Sequence, residues 1–211
     1  MKAVIYKEFL TIWKQLLLAL LLLLCLCVYT YSDGKLAIMP LAFVWLPMIT
    51  ISAVFGADLV SQIDKYLAAS PLEARTIVLG RYAFIWLMCL PGIFSVPAIS
   101  WFAPQQSLPL PWYAQMSLIM LLAAGTSAVE LPIIYKFDTQ KASVAFMFIY
   151  VIAFNFLLPR ILPPMVSWLQ GQSQPEGLPF VPLSLAGLGL TLVLNFISYR
   201  LSVKIYNKNQ Y

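Results

Sequence analysis

The sequence predicts an all-α polytopic membrane protein with six transmembrane helices. Of its 211 residues, 62% are hydrophobic and only 10% are charged, whereas soluble domains carry about 45–50% apolar and about 25% charged residues. A helix needs about 20 apolar residues to cross a hydrocarbon core of about 30 Å. Six stretches approach that length, namely residues 16–31, 36–57, 82–103, 113–135, 142–158 and 180–199.

The basic residues orient these spans in the membrane. If the N-terminus lies in the cytoplasm, eleven of the 13 Lys and Arg residues lie on that side, and only Lys35 and Arg160 lie outside. Because cytoplasmic loops are enriched in Lys and Arg, we expect a multi-pass membrane protein with both termini cytoplasmic. The same distribution accounts for the net charge of +5 without a nucleic-acid partner.

The first 15 residues alternate charged side chains with apolar ones. The charged residues are Lys2, Lys7, Glu8 and Lys14. This pattern predicts an amphipathic helix that lies along the inner leaflet, with Trp13 at the depth of the lipid headgroups. The alternative is that these residues are the cytoplasmic end of the first span.

Charged residues also concentrate between positions 58 and 81, in the expected cytoplasmic connection between the second and third spans. Apolar residues there recur at helical spacing and line one face, namely Leu59, Ile63, Tyr66 and Leu67. Ser70 then suits an N-cap, Pro71 suits the first helical position, and Glu73 completes a capping box. A helix, an elbow and a second helix between two spans predict a docking surface.

The whole chain, residues 1–211, is expected to form one transmembrane domain. Spans one and two occupy residues 16–57, and spans three to five occupy residues 82–158. Residues 159–179 are too apolar for a free loop and too broken by proline to cross, so an outer re-entrant segment is expected there. The last span, 180–199, is followed by a cytoplasmic tail, 200–211.

The residue types present exclude several classes of function. The chain has no histidine, which removes Ser-His triads and His-ligated metal sites. No G-x-x-x-x-G-K-[ST] sequence occurs, so the chain cannot hold ATP in a Walker loop. No catalytic residue, metal ligand or cofactor is therefore expected in this chain.

Three polar residues lie inside the predicted spans, namely Glu130, Asn155 and Asn195. Glu130 is expected to pair with a basic residue or to extend to the cytoplasmic surface, and the alternative is substrate or proton handling. The two asparagines are expected to form hydrogen bonds between helices.

The spans, the basic N-terminus and the helix–elbow–helix together resemble ABC-2-type permeases. The sequence D-x5-D-K-Y-L-A-A-S-P-L-E-A-R, from Asp58 to Arg75, is similar to a segment of small bacterial ABC-2 membrane subunits, among them the phenol-soluble-modulin exporters. Lys7 and Glu8 stand where those proteins often carry a basic–acidic pair in the first helix. Arg81 stands where they usually carry lysine.

This resemblance implies a permease of the bacterial plasma membrane that pairs with an identical or paralogous permease and rests on a separate ABC ATP-binding subunit. That subunit would bind the ATP and Mg. The residues implied in coupling to it are Asp64, Lys65, Tyr66, Leu67, Ser70, Pro71, Leu72, Glu73 and Arg75. The implied substrate is hydrophobic or amphipathic, with phenol-soluble-modulin-like peptides in the nearest subgroup.

The residues leave other substrates and functions open. Apolar spans fit lipids, drugs and peptide antibiotics equally well. An ATP-independent secondary transporter is one alternative, and it would need ion-coupling or proton-coupling groups near the middle of the membrane. A membrane immunity protein that sequesters a peptide without ATP is another.

Overall fold

A computed structural model describes residues 2–34, 39–61, 73–102, 111–137 and 180–209, with five isolated positions between 146 and 160. Within these ranges the secondary structure is helical. The helices are α1 (Lys2–Ser32), α2 (Met39–Ala42), α3 (Trp45–Ser61), α4 (Ala74–Phe102), α5 (Trp112–Lys136) and α6 (Phe180–Asn209). The prediction of an all-α protein is confirmed for this part of the chain.

Five stretches of these helices have the length and apolar composition of membrane spans. They are Val4–Ser32, Met39–Asp58, Ala74–Phe102, Trp112–Lys136 and Phe180–Lys208. Many of their large apolar side chains are exposed, as expected for helices that face lipid, and in α1 they include Leu18 and Leu24 at 60% and 65%. The predicted span 142–158 and the predicted re-entrant segment 159–179 lie outside the described residues, except for a few isolated positions.

The N-terminal residues are not a separate interfacial helix, and that prediction is wrong. Residues 2–32 form one helix of 31 residues, as the alternative for this region proposed. The physical reason is that no proline or glycine interrupts the chain before Gly34. At about 1.5 Å per residue the helix is longer than the hydrocarbon core. Its first turns therefore continue the first span beyond the hydrocarbon core at the N-terminal end.

The second predicted span consists of two helices rather than one. The short α2 ends at Ala42, and α3 begins at Trp45. Pro40 and Pro47 each lie in the first turn of their helix, where the missing backbone N–H has no intrahelical partner to lose. Two turn hydrogen bonds join the helices, from Val44 N–H to the Leu41 carbonyl and from Leu46 N–H to the Phe43 carbonyl.

Helices α5 and α6 run parallel to each other. Contacts between them connect Ser117 with Ser184 and Asn195 with Ala124, and the rings of Tyr135 and Tyr206 lie 5.6 Å apart. The residue numbers rise together along both helices, so the end of α5 and the start of α6 lie at opposite ends of the bundle. Residues 138–179 therefore connect those opposite ends, and the expected span 142–158 stays a prediction for how they do so.

One end of the bundle contains the start of α1, the end of α3, the start of α4 and the ends of α5 and α6, and we call it the terminal end. The larger buried core lies there, with side chains of α1, α3, α4, α5 and α6 packed together, among them Ile12, Phe55, Phe84, Leu131 and Tyr206. A smaller core lies further along the bundle around Val44, Cys89 and Ile119. The terminal end is therefore the better packed half.

Candidate functional site

The predicted docking surface is described only at its edges. Seven of the predicted coupling residues lie outside the described residues, namely Asp64, Lys65, Tyr66, Leu67, Ser70, Pro71 and Leu72. We call residues 62–72 the linking segment, because α3 ends at its start and α4 begins just after it. Both flanking helix ends lie at the terminal end of the bundle, so the linking segment joins the membrane helices there.

Glu73 and Arg75 are the two predicted coupling residues that the structure describes. The carbonyl of Glu73 accepts hydrogen bonds from the N–H groups of Thr76 and Ile77, at 2.8 and 3.3 Å, so Glu73 stands immediately before α4. The predicted capping box placed Glu73 inside the helix, and that detail is wrong for the described helix start. The side chains of Glu73 and Arg75 are both exposed.

Four charged side chains meet inside the terminal end, and we call them the ion cluster. They are Lys7 and Glu8 of α1, Asp58 of α3 and Arg81 of α4. The Lys7 ammonium group lies 2.5 Å from Asp58 Oδ1 and 3.2 Å from Glu8 Oε1. Arg81 donates from Nη2 to Asp58 Oδ2 at 2.5 Å and from Nε to Glu8 Oε1 at 3.4 Å. Each carboxylate thus contacts both cations.

The ion cluster is buried within the protein and is neutral overall. The side chains of Glu8 and Asp58 are 0% exposed, that of Arg81 is 2% exposed, and only Lys7, at 22%, reaches the surface. Desolvated charges are costly unless they are paired and hydrogen-bonded. The two cations and two anions supply the pairing, and Glu8 Oε2 is left without a hydrogen-bond partner among the described residues.

Aromatic rings complete the surroundings of Arg81. Its guanidinium carbon lies 4.5 Å from the centre of the Phe55 ring and 5.7 Å from that of Tyr135, and Nη1 donates to the Tyr135 hydroxyl at 3.3 Å. Tyr135 makes edge contacts with Phe55 and Tyr206, at 5.4 and 5.6 Å between ring centres. Arg81 therefore connects α1, α3 and α5 directly, and it connects α6 through Tyr135.

The packing around the ion cluster leaves little empty space. A cavity of about 10 Å³ lies beside it and is lined by Glu8, Phe55 and Arg81, among others. That volume is about that of one water-sized probe. The charged groups are therefore in direct contact with each other. A displacement of one helix end changes the ion-pair distances to the neighbouring helices.

Helices α1 and α4 approach each other closely next to the cluster. A Cβ atom added at Gly80 would lie 2.9 Å from Cβ and Cγ1 of Val4. Val4 is β-branched and stiff at χ1, so it cannot turn away easily. Glycine at position 80 therefore allows the approach that brings Glu8 to Arg81.

We expect Gly80→Ala to destabilise the protein. Overpacking costs about 1–3 kcal/mol, and the better helix preference of alanine offsets about 1 kcal/mol of that. Thermal unfolding in detergent measures the change. Gly189→Ala is the matched control, because nothing lies within 4 Å of a Cβ there, and it should leave stability unchanged or slightly raised. If the two variants unfold at the same temperature, the α1–α4 contact is not tight.

The polar residues predicted inside the spans have different surroundings. The Asn195 amide donates to the Ala124 carbonyl of α5 at 3.1 Å and accepts from Trp86 Nε1 of α4 at 3.3 Å, which confirms the predicted interhelical hydrogen bonds. Glu130 is 1% exposed, so it does not extend to the membrane surface. Its predicted substrate or proton role stays a prediction, and Asn155 lies outside the described residues.

Among the described residues there is no group of three or more Cys, Asp or Glu side chains that could hold a metal ion. The sequence indicated the members of the ion cluster only as separate features. The signal that they belong together is that each lies in a largely apolar helix, near the helix end that faces the expected cytoplasmic side.

Comparison with known proteins gives the family. No curated protein and no solved structure matches the chain. A family model described as "ABC-2 family transporter protein" matches residues 3–207. That match covers nearly the whole chain, including the ion cluster and both helices that flank the linking segment. The chain therefore belongs to the ABC-2 transporter family.

Proposed function

We propose that this chain is the permease subunit of an ABC exporter, and that a separate ATP-binding subunit drives it through the linking segment. Membership of the ABC-2 family implies a permease subunit of an ABC transporter. The observation that carries the coupling proposal is the ion cluster, because it fastens both ends of the linking segment to each other and to the neighbouring helices.

The ion pair between Asp58 and Arg81 closes the base of the linking segment. These residues are 23 positions apart in sequence, and their side chains are in direct contact. A push on residues 62–72 therefore moves the end of α3 and the start of α4 together. A hinge between the two helix ends would absorb the push, whereas a buried ion pair transmits it.

The remaining members of the ion cluster extend this movement to other helices. Lys7 and Glu8 tie α1 to Asp58 and Arg81, and Tyr135 ties α5 to Arg81. In the proposal, ATP-driven closure of the two ATP-binding subunits pushes on the linking segments of a pair of permeases. The terminal end of each bundle then moves as a unit and closes the pathway on that side.

The distribution of charge supports a hydrophobic or amphipathic substrate. In the described parts of the spans beyond the terminal end, residues 15–32, 82–102, 112–129 and 180–199 contain no Lys, Arg, Asp or Glu. A secondary transporter would need ion-coupling groups near mid-membrane. By family resemblance we propose amphipathic peptides of the phenol-soluble-modulin kind as the substrate, with lipids, drugs and peptide antibiotics as the competing classes.

Reconstitution tests the proposed function. Inside-out vesicles containing the chain and its ATP-binding subunit should accumulate a fluorescent amphipathic helical peptide when ATP and Mg are present, and should not do so with a non-hydrolysable analogue. Vesicles containing the chain alone, with an imposed proton gradient, are the comparison. Gradient-driven uptake by the chain alone would contradict the proposal and favour a secondary transporter. ATP-driven uptake of a fluorescent lipid or drug instead of the peptide would correct the substrate.

A further inference from the structure

A groove separate from the ion cluster lies between the start of α4 and the last turns of α6. It has a volume of about 420 Å³. The residues that line it include Arg75, Phe196, Tyr199, Arg200, Val203 and Lys204. On α6 these residues recur at intervals of three and four, so they form one continuous face of the helix. We call this feature the basic groove.

The polar end of the basic groove is strongly cationic. Arg75, Arg200 and Lys204 are all exposed, and among the described residues that line the groove there is no Asp or Glu. Three positive side chains around one opening attract an anion, and guanidinium groups bind phosphate oxygens with two parallel hydrogen bonds. The chemistry at this end fits a phosphate group.

The other end of the basic groove is apolar. Phe196 is 59% exposed and belongs to the candidate span Phe180–Lys208, and it lies one helical turn before Arg200. The Arg200 guanidinium carbon lies 5.2 Å from the centre of the Phe196 ring, so a cation and an apolar wall adjoin directly. One ligand can contact both only if it carries a negative head and an apolar tail.

We propose that the basic groove binds an anionic phospholipid. Its phosphate lies among Arg75, Arg200 and Lys204, and an acyl chain lies along Phe196. Basic pockets between membrane helices bind acidic lipid headgroups in this way. A free phosphate would make no contact with the apolar wall at Phe196. An acidic protein surface would not reach Phe196 inside the span. This proposal does not depend on the proposed export function.

Lipid retention by the purified protein tests the proposal. The full-length chain in neutral detergent is titrated with phosphatidylglycerol or phosphatidylcholine, and bound lipids are counted by native mass spectrometry. We expect wild type to prefer phosphatidylglycerol at least tenfold. Each cation near an anionic headgroup contributes roughly fivefold in affinity, so Arg75→Gln, Arg200→Gln, Lys204→Gln should bind on the order of 100-fold more weakly.

A second triple variant controls for total charge. Lys2→Gln, Lys14→Gln, Lys208→Gln removes three exposed cations of the same end that do not line the groove, and it should keep the preference for phosphatidylglycerol. Equal unfolding temperatures in phosphatidylcholine establish that both variants fold.

Three outcomes would overturn the proposal. The first is an equal loss of affinity in both triple variants, which would indicate general attraction by net charge. The second is displacement of the lipid by inorganic phosphate at the same concentration, which would indicate a plain anion site. The third is unchanged lipid binding with lost capture of the ATP-binding subunit, which would indicate a protein contact surface.

Discussion

We expect Arg81→Met to cause the largest loss of stability of any single change in the described residues, about 3–5 kcal/mol. Arg81 is buried and holds Glu8 and Asp58 together. Without it, two buried carboxylates face Lys7 alone, so one negative charge has no compensating partner. Reversible unfolding of the purified protein in mixed detergent micelles, followed by tryptophan fluorescence, measures the change.

A double-mutant cycle distinguishes this cause from a general packing defect. Asp58→Leu combined with Arg81→Met removes one charge of each sign and leaves the Lys7–Glu8 pair in contact. The double variant should be more stable than the sum of the two single losses predicts, because contacting charges couple. Lys14→Met is the control, since Lys14 is exposed on the same helix as Lys7, and it should change stability by less than about 0.5 kcal/mol. Additive losses would show that the four charges do not act as one cluster.

The second large effect concerns transport rather than stability. Lys7→Met with Glu8→Gln removes both charges that α1 contributes to the ion cluster. The pair between Asp58 and Arg81 remains intact and neutral. We expect this variant to fold and to bind the ATP-binding subunit, because the linking segment is unchanged. ATP-driven peptide uptake should fall at least tenfold, since α1 no longer follows the movement of α3 and α4.

The informative readout is the ratio of transport to ATP hydrolysis. In the variant, ATPase activity should persist while uptake falls, which is the signature of lost coupling. Lys2→Met with Lys14→Gln is the matched control on α1, because both side chains are exposed, and it should keep the wild-type ratio. A normal ratio in the Lys7 and Glu8 variant would mean that the contact of α1 with the ion cluster does not carry the movement.

The spans could be predicted from sequence, because long apolar helices are specified by local composition. Asn195 was also predictable, since a buried amide in an apolar helix must find a partner on a neighbouring helix. Both features depend on residues close together in the chain. The structure describes five of the expected spans and the Asn195 hydrogen bonds.

The ion cluster could not be predicted as a unit. Lys7 and Asp58 are 51 positions apart, and Glu8 and Arg81 are 73 apart, so no local pattern places them together. The same limit applies to the burial of Glu8. Glu8 has the spacing expected of a residue that faces water or headgroups, yet it is fully buried, because its partner Arg81 comes from another helix.

The parallel arrangement of α5 and α6 is a further feature that the spacing of apolar residues does not predict. It depends on the contacts of Ser184 and Asn195 with α5, which only the folded bundle shows. Gly80 and Gly187 are similar cases, because a Cβ atom at either would approach Val4 or Ser117 closer than 3.0 Å. A single sequence does not distinguish these glycines from Gly189, which has open space around it.

The central claim is that the linking segment couples this permease to a separate ATP-binding subunit. Co-purification of the tagged chain with that subunit tests it most directly. Leu67→Asp with Leu72→Asp should reduce the captured ATP-binding subunit at least tenfold, because both leucines belong to the predicted apolar contact. Lys2→Asp with Lys208→Asp introduces the same two acids at exposed positions of the same end and should leave capture unchanged. Wild-type protein that captures no ATP-binding subunit, or a folded leucine variant that captures as much as wild type, would contradict the account.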